Sequence, residues 1–456
     1  MFGKVKHIHL IGIGGTGMSG IAELLLNLGY KVTGSDISAG EVTERLARLG
    51  GEISLGHGAD RVGEADVVVY SSAVKPDNPE MIESRRRGIP VIPRAEMLAE
   101  LMRMKYGIAV GGAHGKTTTT WLVGLVMAAA GLDPTIVVGG RLKALGTNAK
   151  LGSGPYLVAE ADESDGSFLK LSPSLAIVTN IDEEHLDHYA DLDAIKSAFV
   201  EFVNRVPFYG AAIVCLDEEK VQAIMPRITR RVVTYGFSPQ ADVRGTDISQ
   251  DETGVTFNVA FRGRKMGSLY VRIPGEHNVL NALAAVAVAS ELDVPFAAAS
   301  EGISAFTGIS RRLEHKGEAR GIVVMDDYAH HPTEIMATLR AARTFWRKRI
   351  VAVFQPHRHT RTKALWERLG RSFYDADVVV VTSIYGAGEE PIPGVTAELV
   401  AKAAARAGHR DVRYIPEKSE IPDRLIETLR PGDLVITLGA GDIWKTGEEI
   451  LRRLGS

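Results

Sequence analysis

Cysteine is nearly missing. The chain has one, Cys215, in 456 residues, which excludes an intrachain disulfide framework and any thiolate metal cluster. It sits in the apolar run AAIVCL, which reads as a buried core thiol rather than a nucleophile. No apolar run reaches the ~18 residues a membrane span needs. Residues 1–30 lack a basic stretch followed by a small-residue cleavage site, so no secretory signal is expected. Neither sign of charge dominates: the net charge of −3 leaves no basic field for nucleic acid or an anionic membrane. The 45% hydrophobic and 24% charged residues are ordinary globular values, and the length suggests about three domains. A cytoplasmic enzyme is expected, monomeric or weakly dimeric, without nucleic-acid or membrane partners.

The most informative stretch is Tyr106 to Trp121, YGIAVGGAHGKTTTTW. An apolar strand runs into a glycine turn, a lysine, four threonines and a helical pattern. That is the grammar of a phosphate cradle, where backbone amides and a helix N-terminus face phosphate oxygens and a threonine hydroxyl reaches Mg²⁺. The spacing is short: three residues separate Gly111 from Gly115-Lys116 where a standard loop has four.

The first segment, to about residue 105, carries a second glycine turn. HIHLIGIGGTGMSGIAELLLNLGYKVTGSD places Gly12, Gly14 and Gly17 between a strand and a helix, with Asp36 closing the next strand. This is a dinucleotide-type fingerprint in its required context. It predicts a diphosphate over the helix N-terminus and a ribose or base hydrogen bond to Asp36. Ser71 and Ser72 close a third strand near the same crevice.

In the central segment, PYLVAEADESDGSF delivers Glu160 and Asp162 to a strand end where a metal-binding acid is expected. The residues alone do not choose between them. LAIVTNIDEEHLDHY places His185 among Asp182, Glu183, Glu184 and Asp187, a metal or phosphate candidate. Residues 206–273 read as an antiparallel flap that includes RVVTYGF, GVTFNVAF and SLYVRIP. Asn278 and Asn281 open a long alanine-rich helix on one face, as a cap or as a base-edge contact. The last segment follows Arg311 and Arg312 with another parallel α/β pattern. Two of its strand ends are crowded with polar residues: Asp326, Asp327, Tyr328, His330 and His331 in one, and His357, Arg358, His359 and Arg361 in the other. So many cations suggest capture of a carboxylate or developing phosphate. Zinc is disfavoured there, because no HExxH spacing is present and arginines flank the histidines.

Together GAHGKTTTT, AEADESD, TNIDEEHLD, GEHNVLNA, RRLE, DDYAHHPTE, FQPHRHTRT and GAGDIW resemble the Mur ligases, from about residue 7 to residue 444. The first segment resembles the member that adds L-alanine to UDP-N-acetylmuramate. The resemblance implies three α/β domains: a Rossmann-like UDP-sugar domain (1–105), a P-loop ATPase-like domain with a small antiparallel flap (106–310) and a Rossmann-like amino-acid domain (311–456). It implies ATP and Mg²⁺ as cofactors. The ATP site would be Gly112, Ala113, His114, Gly115, Lys116, Thr117 and Thr118, with Asn278, Asn281 and Arg312. Thr117 and Glu160 would hold one Mg²⁺ and His185 a second. Gly12, Gly14, Gly15, Gly17, Asp36, Ser71 and Ser72 would take the sugar nucleotide. Tyr328, His330, His357, Arg358 and Arg361 would orient the alanine or the carboxyl centre. The catalytic set would be Lys116, Glu160, His185, His330 and Arg358. Ala113, Glu184, Ala329 and His359 depart from the family pattern, and Lys196 corresponds to a lysine that carries a carbamate in some members. A murein-tripeptide ligase, a nicotinamide oxidoreductase suggested by the first glycine turn, and a non-catalytic sugar-nucleotide sensor are the alternatives.

Overall fold

The computed structural model describes residues 4–71, 73–138, 149–185, 188–251 and 253–455, without the side chain of Thr16. Ser72 and Asp187 lie outside the described residues. The chain divides into two compact units, one of residues 1–247, 257–269 and 280–307, the other of 248–256, 270–279 and 308–456.

The first sheet is built from β1 (His7–Ile11), β2 (Lys31–Asp36), β3 (Glu52–Leu55), β4 (Val67–Tyr70) and β5 (Val91–Pro93), in the order β3-β2-β1-β4-β5. All its pairings are parallel. Parallel pairing requires crossovers, here through helices that include α1 (Thr16–Asn27), α2 (Glu41–Arg48) and α3 (Pro79–Arg86); α4 (Arg94–Arg103) follows β5. Strand order reverses at β1, so a crevice opens at the carboxyl ends of β1 and β4, where ligands of open α/β sheets bind.

The second sheet has ten strands: β6 (Tyr106–Gly111), β7 (Thr135–Val137), β8 (Ala149–Lys150), β9 (Tyr156–Glu160), β10 (Leu175–Val178), β11 (Ala211–Cys215), β12 (Val232–Gly236), β13 (Val243–Gln250), β14 (Val255–Phe261) and β15 (Arg264–Val271). Their order is β15-β14-β13-β12-β11-β10-β6-β9-β7-β8. Its helices are α5 (Lys116–Ala129), α6 (Leu192–Asn204), α7 (Glu219–Ile224), α8 (Glu276–Glu291) and α9 (Phe296–Ser304). One expectation is corrected here. RVVTYGF is not part of an antiparallel flap, because β12 pairs parallel with β11, reached through the α7 crossover. Strands β13 to β15 follow one another through short turns. Cys215 is a buried core thiol, pushed up to about 12 by burial.

The third sheet comprises β16 (Glu314–Ala319), β17 (Ile322–Asp327), β18 (Ile350–Phe354), β19 (Val378–Val381), β20 (Val412–Tyr414) and β21 (Leu434–Leu438), ordered β16-β17-β21-β18-β19-β20. It is parallel except for the edge strand β16, which pairs antiparallel with β17. Helices α10 (Pro332–Phe345) and α11 (His359–Gly370) start at the carboxyl ends of β17 and β18. Val and Ile fill these strands on both faces, as a sheet covered by helices requires. Among the described residues no helix is long and apolar enough to cross a membrane.

Candidate active site

Three adjacent strand ends surround the glycine loop of the second sheet. β6 delivers Gly111, while its neighbours β9 and β10 bring Glu160 and Thr179 to either side. The β10 side holds the loop. Thr179 Oγ1 donates to the His114 carbonyl at 2.6 Å, and Asn180 accepts from the His114 amide at 2.8 Å and donates to its carbonyl at 3.0 Å. The Ala113 amide donates to the Asn180 carbonyl at 3.1 Å. Gly112 has φ +133°, and a Cβ there would stand 2.0 Å from Thr179 Oγ1, so the loop can lie against β10 only as glycine. Gly115 rests on Asn281, whose Oδ1 accepts from the Thr119 hydroxyl at 3.2 Å. No side chain caps the N-terminus of α5, leaving its first-turn amides for a ligand.

Lys116 opens α5. Its Nζ donates to the Gly112 carbonyl at 2.7 Å and to both Glu163 oxygens at 2.9 Å. Burial works against the ammonium, but Glu163 and then Asp162 more than offset it and hold Lys116 above its usual range. Burial pushes the Glu163 carboxyl up to about 7, against the pull of Lys116. Beside this pair, His185 adopts a left-handed φ of +56°, a strained conformation of the kind that clusters at functional sites. Its Nε2 is 3.7 Å from Glu163 Oε1 and 3.8 Å from Glu184 Oε2. Glu163, Glu184 and His185 bring ligand atoms within 4.8 Å of one another. Two carboxylates and an imidazole are a donor set for a divalent cation, whose binding would displace the Lys116 ammonium from Glu163.

Sequence reasoning missed Glu163, Asn180 and Thr179. Glu163 was legible only as one of several acids in AEADESD, and it turns inward just beyond β9. Glu160, at the end of β9 beside the cradle, and Asp162 also line a cavity of about 250 Å³ with Gly15, Gly17, Ser71 and Arg94. Arg94 Nη2 stands 3.7 Å from Asp162 Oδ2. Thr117 lies beside Lys116 in the first turn of α5, with Thr118 buried after it. His114 Nε2 faces Asp182 Oδ2 at 3.4 Å. Lys196 pairs with Asp193 along α6 at 3.2 Å.

The first glycine turn is organised differently. The Gly14 amide donates to Asp36 Oδ2 at 2.8 Å, so Asp36 braces the turn as well as facing the ligand space. Gly12, Gly14, Gly15, Asp36 and Ser71 line a cavity of about 770 Å³ that extends to His57 and to Asn78.

In the other unit, the strand-end clusters of β17 and β18 meet. Tyr328, His330, His357 and Tyr385 form a chain of rings with centroids 5.3, 5.5 and 5.7 Å apart. Arg361 Nη1 lies 3.1 Å from His357 Nδ1, so the imidazole presents a lone pair to the guanidinium. Burial, then His330 and the two nearby arginines, push His357 down to about 3. Arg358 has φ +66° and its amide donates to the Tyr385 carbonyl at 2.8 Å. Tyr385 was not foreseen, since it comes from the loop after β19. Arg311 is structural: it bonds Asp326 at 2.9 Å and the carbonyls of Gly439 and Gly441. Arg312 reaches Glu334 at 3.3 Å. Burial raises Asp327 to about 6, against the pull of Arg312. Asn278 turns to its own backbone, donating to the Pro274 carbonyl at 2.8 Å.

Family models match in consecutive order: the Mur ligase family catalytic domain over residues 7–106, the Mur ligase middle domain over 110–289 and the Mur ligase glutamate ligase domain over 311–441. The chain belongs to the Mur ligase family. Among Mur ligases, it is 59% identical to a UDP-N-acetylmuramate–L-alanine ligase of Syntrophotalea carbinolica, covering 99% of this chain and 98% of that one. It is 57% identical to the protein of the same name from Pelobacter propionicus, over 100% and 99%. The solved UDP-N-acetylmuramate-alanine ligase MurC of Thermotoga maritima superposes with a TM-score of 0.81 at 29% identity, over 98% of each chain. A murein peptide ligase from Psychrobacter arcticus gives 0.71 at 26%, over 99% of each. The three-domain Mur ligase fold expected from the sequence is therefore the one adopted.

Proposed function

We propose that the chain joins L-alanine to the lactyl carboxylate of UDP-N-acetylmuramate, at the expense of ATP, in peptidoglycan precursor synthesis. The observation that carries this reading is 59% identity along essentially the whole chain to a ligase of that name. The site chemistry supports it. The lactyl carboxylate attacks the γ-phosphorus of ATP, ADP departs, and an acyl phosphate forms. The amine of L-alanine then attacks the activated carbonyl, loses a proton, and phosphate leaves. Carboxylate and triphosphate repel each other, so the protein must neutralise both and hold them in line.

Lys116 is the cation for the β- and γ-phosphates, with Gly112 to Thr118 as the cradle. At rest its charge is matched by Glu163, and phosphate oxygens compete for the same ammonium. Thr117, Glu160 and His185, together with Glu163 and Glu184 beside His185, are the residues that would hold Mg²⁺, which when bound offsets triphosphate charge. The cavity at Gly12 to Gly15 takes the UDP moiety, and Glu160, Asp162 and Arg94 flank the path of the sugar acid toward the cradle. Arg358, Arg361, His330 and Tyr328 receive the alanine carboxylate. Because His357 stays neutral at physiological pH, its lone pair orients Arg361 without adding repulsion. A cytoplasmic location follows from the reaction's demand for ATP.

The rival reading, ligation of a murein tripeptide, draws support from the Psychrobacter arcticus structure. Following phosphate release and amide product together with L-alanine and with the tripeptide separates the two. L-alanine should give equal amounts of phosphate and amide, and a preference for the tripeptide would overturn the assignment.

A further inference from the structure

Beneath the larger cavity lies a buried polar network that the reaction does not use. Glu80, on α3, is completely buried. Its Oε2 accepts from Ser35 Oγ at 2.8 Å and meets His9 Nε2 at 2.6 Å. Its Oε1 meets His57 Nδ1 at 2.8 Å. Ser35 Oγ also stands 3.0 Å from that nitrogen. His9 continues inward to Thr33 Oγ1 at 2.8 Å, which His7 also contacts at 2.9 Å.

A lone buried carboxyl would normally stay neutral. Burial does work to raise Glu80, yet the bonds from His9, Ser35 and His57 hold it below the usual carboxylate range. An ionised carboxylate only accepts, so the His57 nitrogen facing Glu80 carries a hydrogen. In the neutral imidazole that leaves Nε2 bare, as an acceptor. His57 is about one-fifth exposed and lines the cavity of Gly12 to Gly15, and the ring edge opposite Glu80 is the one left to meet a ligand. His57 follows β3, the strand beside β2. A nucleotide with its diphosphate on the glycine turn and its ribose at Asp36 directs its base toward that strand end.

Resting on the reading of this cavity as the UDP site, we propose that His57 Nε2 reads the N3–H of uracil and that Glu80 is the positioning residue that fixes its tautomer. Uracil offers a donor at N3, whereas cytosine offers a lone pair there. Two opposed acceptors repel and leave a desolvated nitrogen unpaired. The site therefore discriminates between pyrimidines by a device set from below the pocket. Carboxylate partners fix the orientation of metal-binding histidines in the same manner, here without a metal.

The test is competition of UDP and of CDP against UDP-N-acetylmuramate on the full-length protein, in wild type, His57→Ala and Glu80→Gln. Wild type should bind UDP about 10- to 100-fold more tightly than CDP. His57→Ala should bring the two within about 3-fold of each other. Glu80→Gln should also erode the preference while ATP binding stays unchanged, a readout that a merely structural role would not move selectively. If Glu80→Gln does not fold, His57→Ala decides the proposal. Equal wild-type affinities, or a preference that survives in His57→Ala, would overturn it. A His57→Ala variant that loses UDP and CDP affinity in equal measure would assign His57 to the ribose instead, which also overturns it. UDP that fails to compete at all would remove the reading of the cavity itself.

Discussion

The two glycine turns of the first unit do similar geometric work with opposite electrostatics. At Gly12 to Gly17 the brace is an anion, Asp36, which accepts the Gly14 amide and so withdraws one donor from any phosphate. At Gly111 to Lys116 the brace is neutral, the hydroxyl of Thr179 and the carboxamides of Asn180 and Asn281. The second turn carries its own cation, Lys116, matched by Glu163, whereas Arg94, the cation packed against Gly17 of the first turn, comes from α4 and faces Asp162. The first opens on a cavity of about 770 Å³, large enough for an extended sugar nucleotide. Both turns leave helix-N-terminal amides for an anion, and the bracing groups and the cation distinguish the two kinds of phosphate each would suit. A diphosphate esterified on both ends is bound by helix amides and shape, while a reacting triphosphate needs fixed positive charge where negative charge develops.

Removing that charge breaks the comparison most severely. Lys116→Ala should lower kcat by about 10³-fold or more, measured as ADP formation under saturating substrates. A loss below 10-fold would mean the lysine is not the phosphate cation. Next comes the brace. Gly112→Ala forces a Cβ against Thr179 Oγ1 at a positive φ, and should cost about 2–4 kcal/mol of stability in urea denaturation. Double substitution with Thr179→Ala should restore part of it; no recovery would mean the contact is not the source of strain.

The third cluster should respond independently of both turns. Arg361→Ala should raise the KM for alanine about 10-fold, as expected for loss of one charged hydrogen bond, and leave the KM values for ATP and sugar nucleotide nearly unchanged. An unmoved alanine KM would take Arg361 out of the amine site. The smallest effect concerns His357, whose folded pKa lies near 3 against about 6.5 in the unfolded chain. Between those values the unfolded state holds more protons, so this residue makes stability fall as pH drops through the window. His357→Gln should reduce the loss of stability between pH 7 and pH 5 by about 2 kcal/mol, read from urea midpoints. Identical pH slopes in the two proteins would contradict a half-buried, neutral His357.

The legible parts of the molecule were those written in local spacing. Both glycine turns, Asp36, Lys116 and the strand-end clusters of β17 and β18 follow from short motifs in sequence order, because a strand–turn–helix fixes their geometry within a few residues. What stayed hidden depends on strands that are neighbours only in space. Thr179 and Asn180 brace a loop 65 residues earlier because β10 pairs with β6. Tyr385 reaches His357 because the loop after β19 folds beside β18. Glu163 was indistinguishable from Asp162, since past the end of β9 at Glu160 the alternation of faces no longer applies. Strand β12 was misread as part of a flap because its alternating pattern suits either sheet type; only the helical crossover from β11 decides. The network of Glu80 joins β1, β2, α3 and the loop after β3, and no single stretch announces it.

The most direct measurement is titration of the full-length Lys116→Ala protein with UDP-N-acetylmuramate and, separately, with ATP. If the two turns are distinct sites braced in opposite ways, the sugar nucleotide binds within about 3-fold of wild type while ATP binding is lost. Loss of both affinities together would contradict the account.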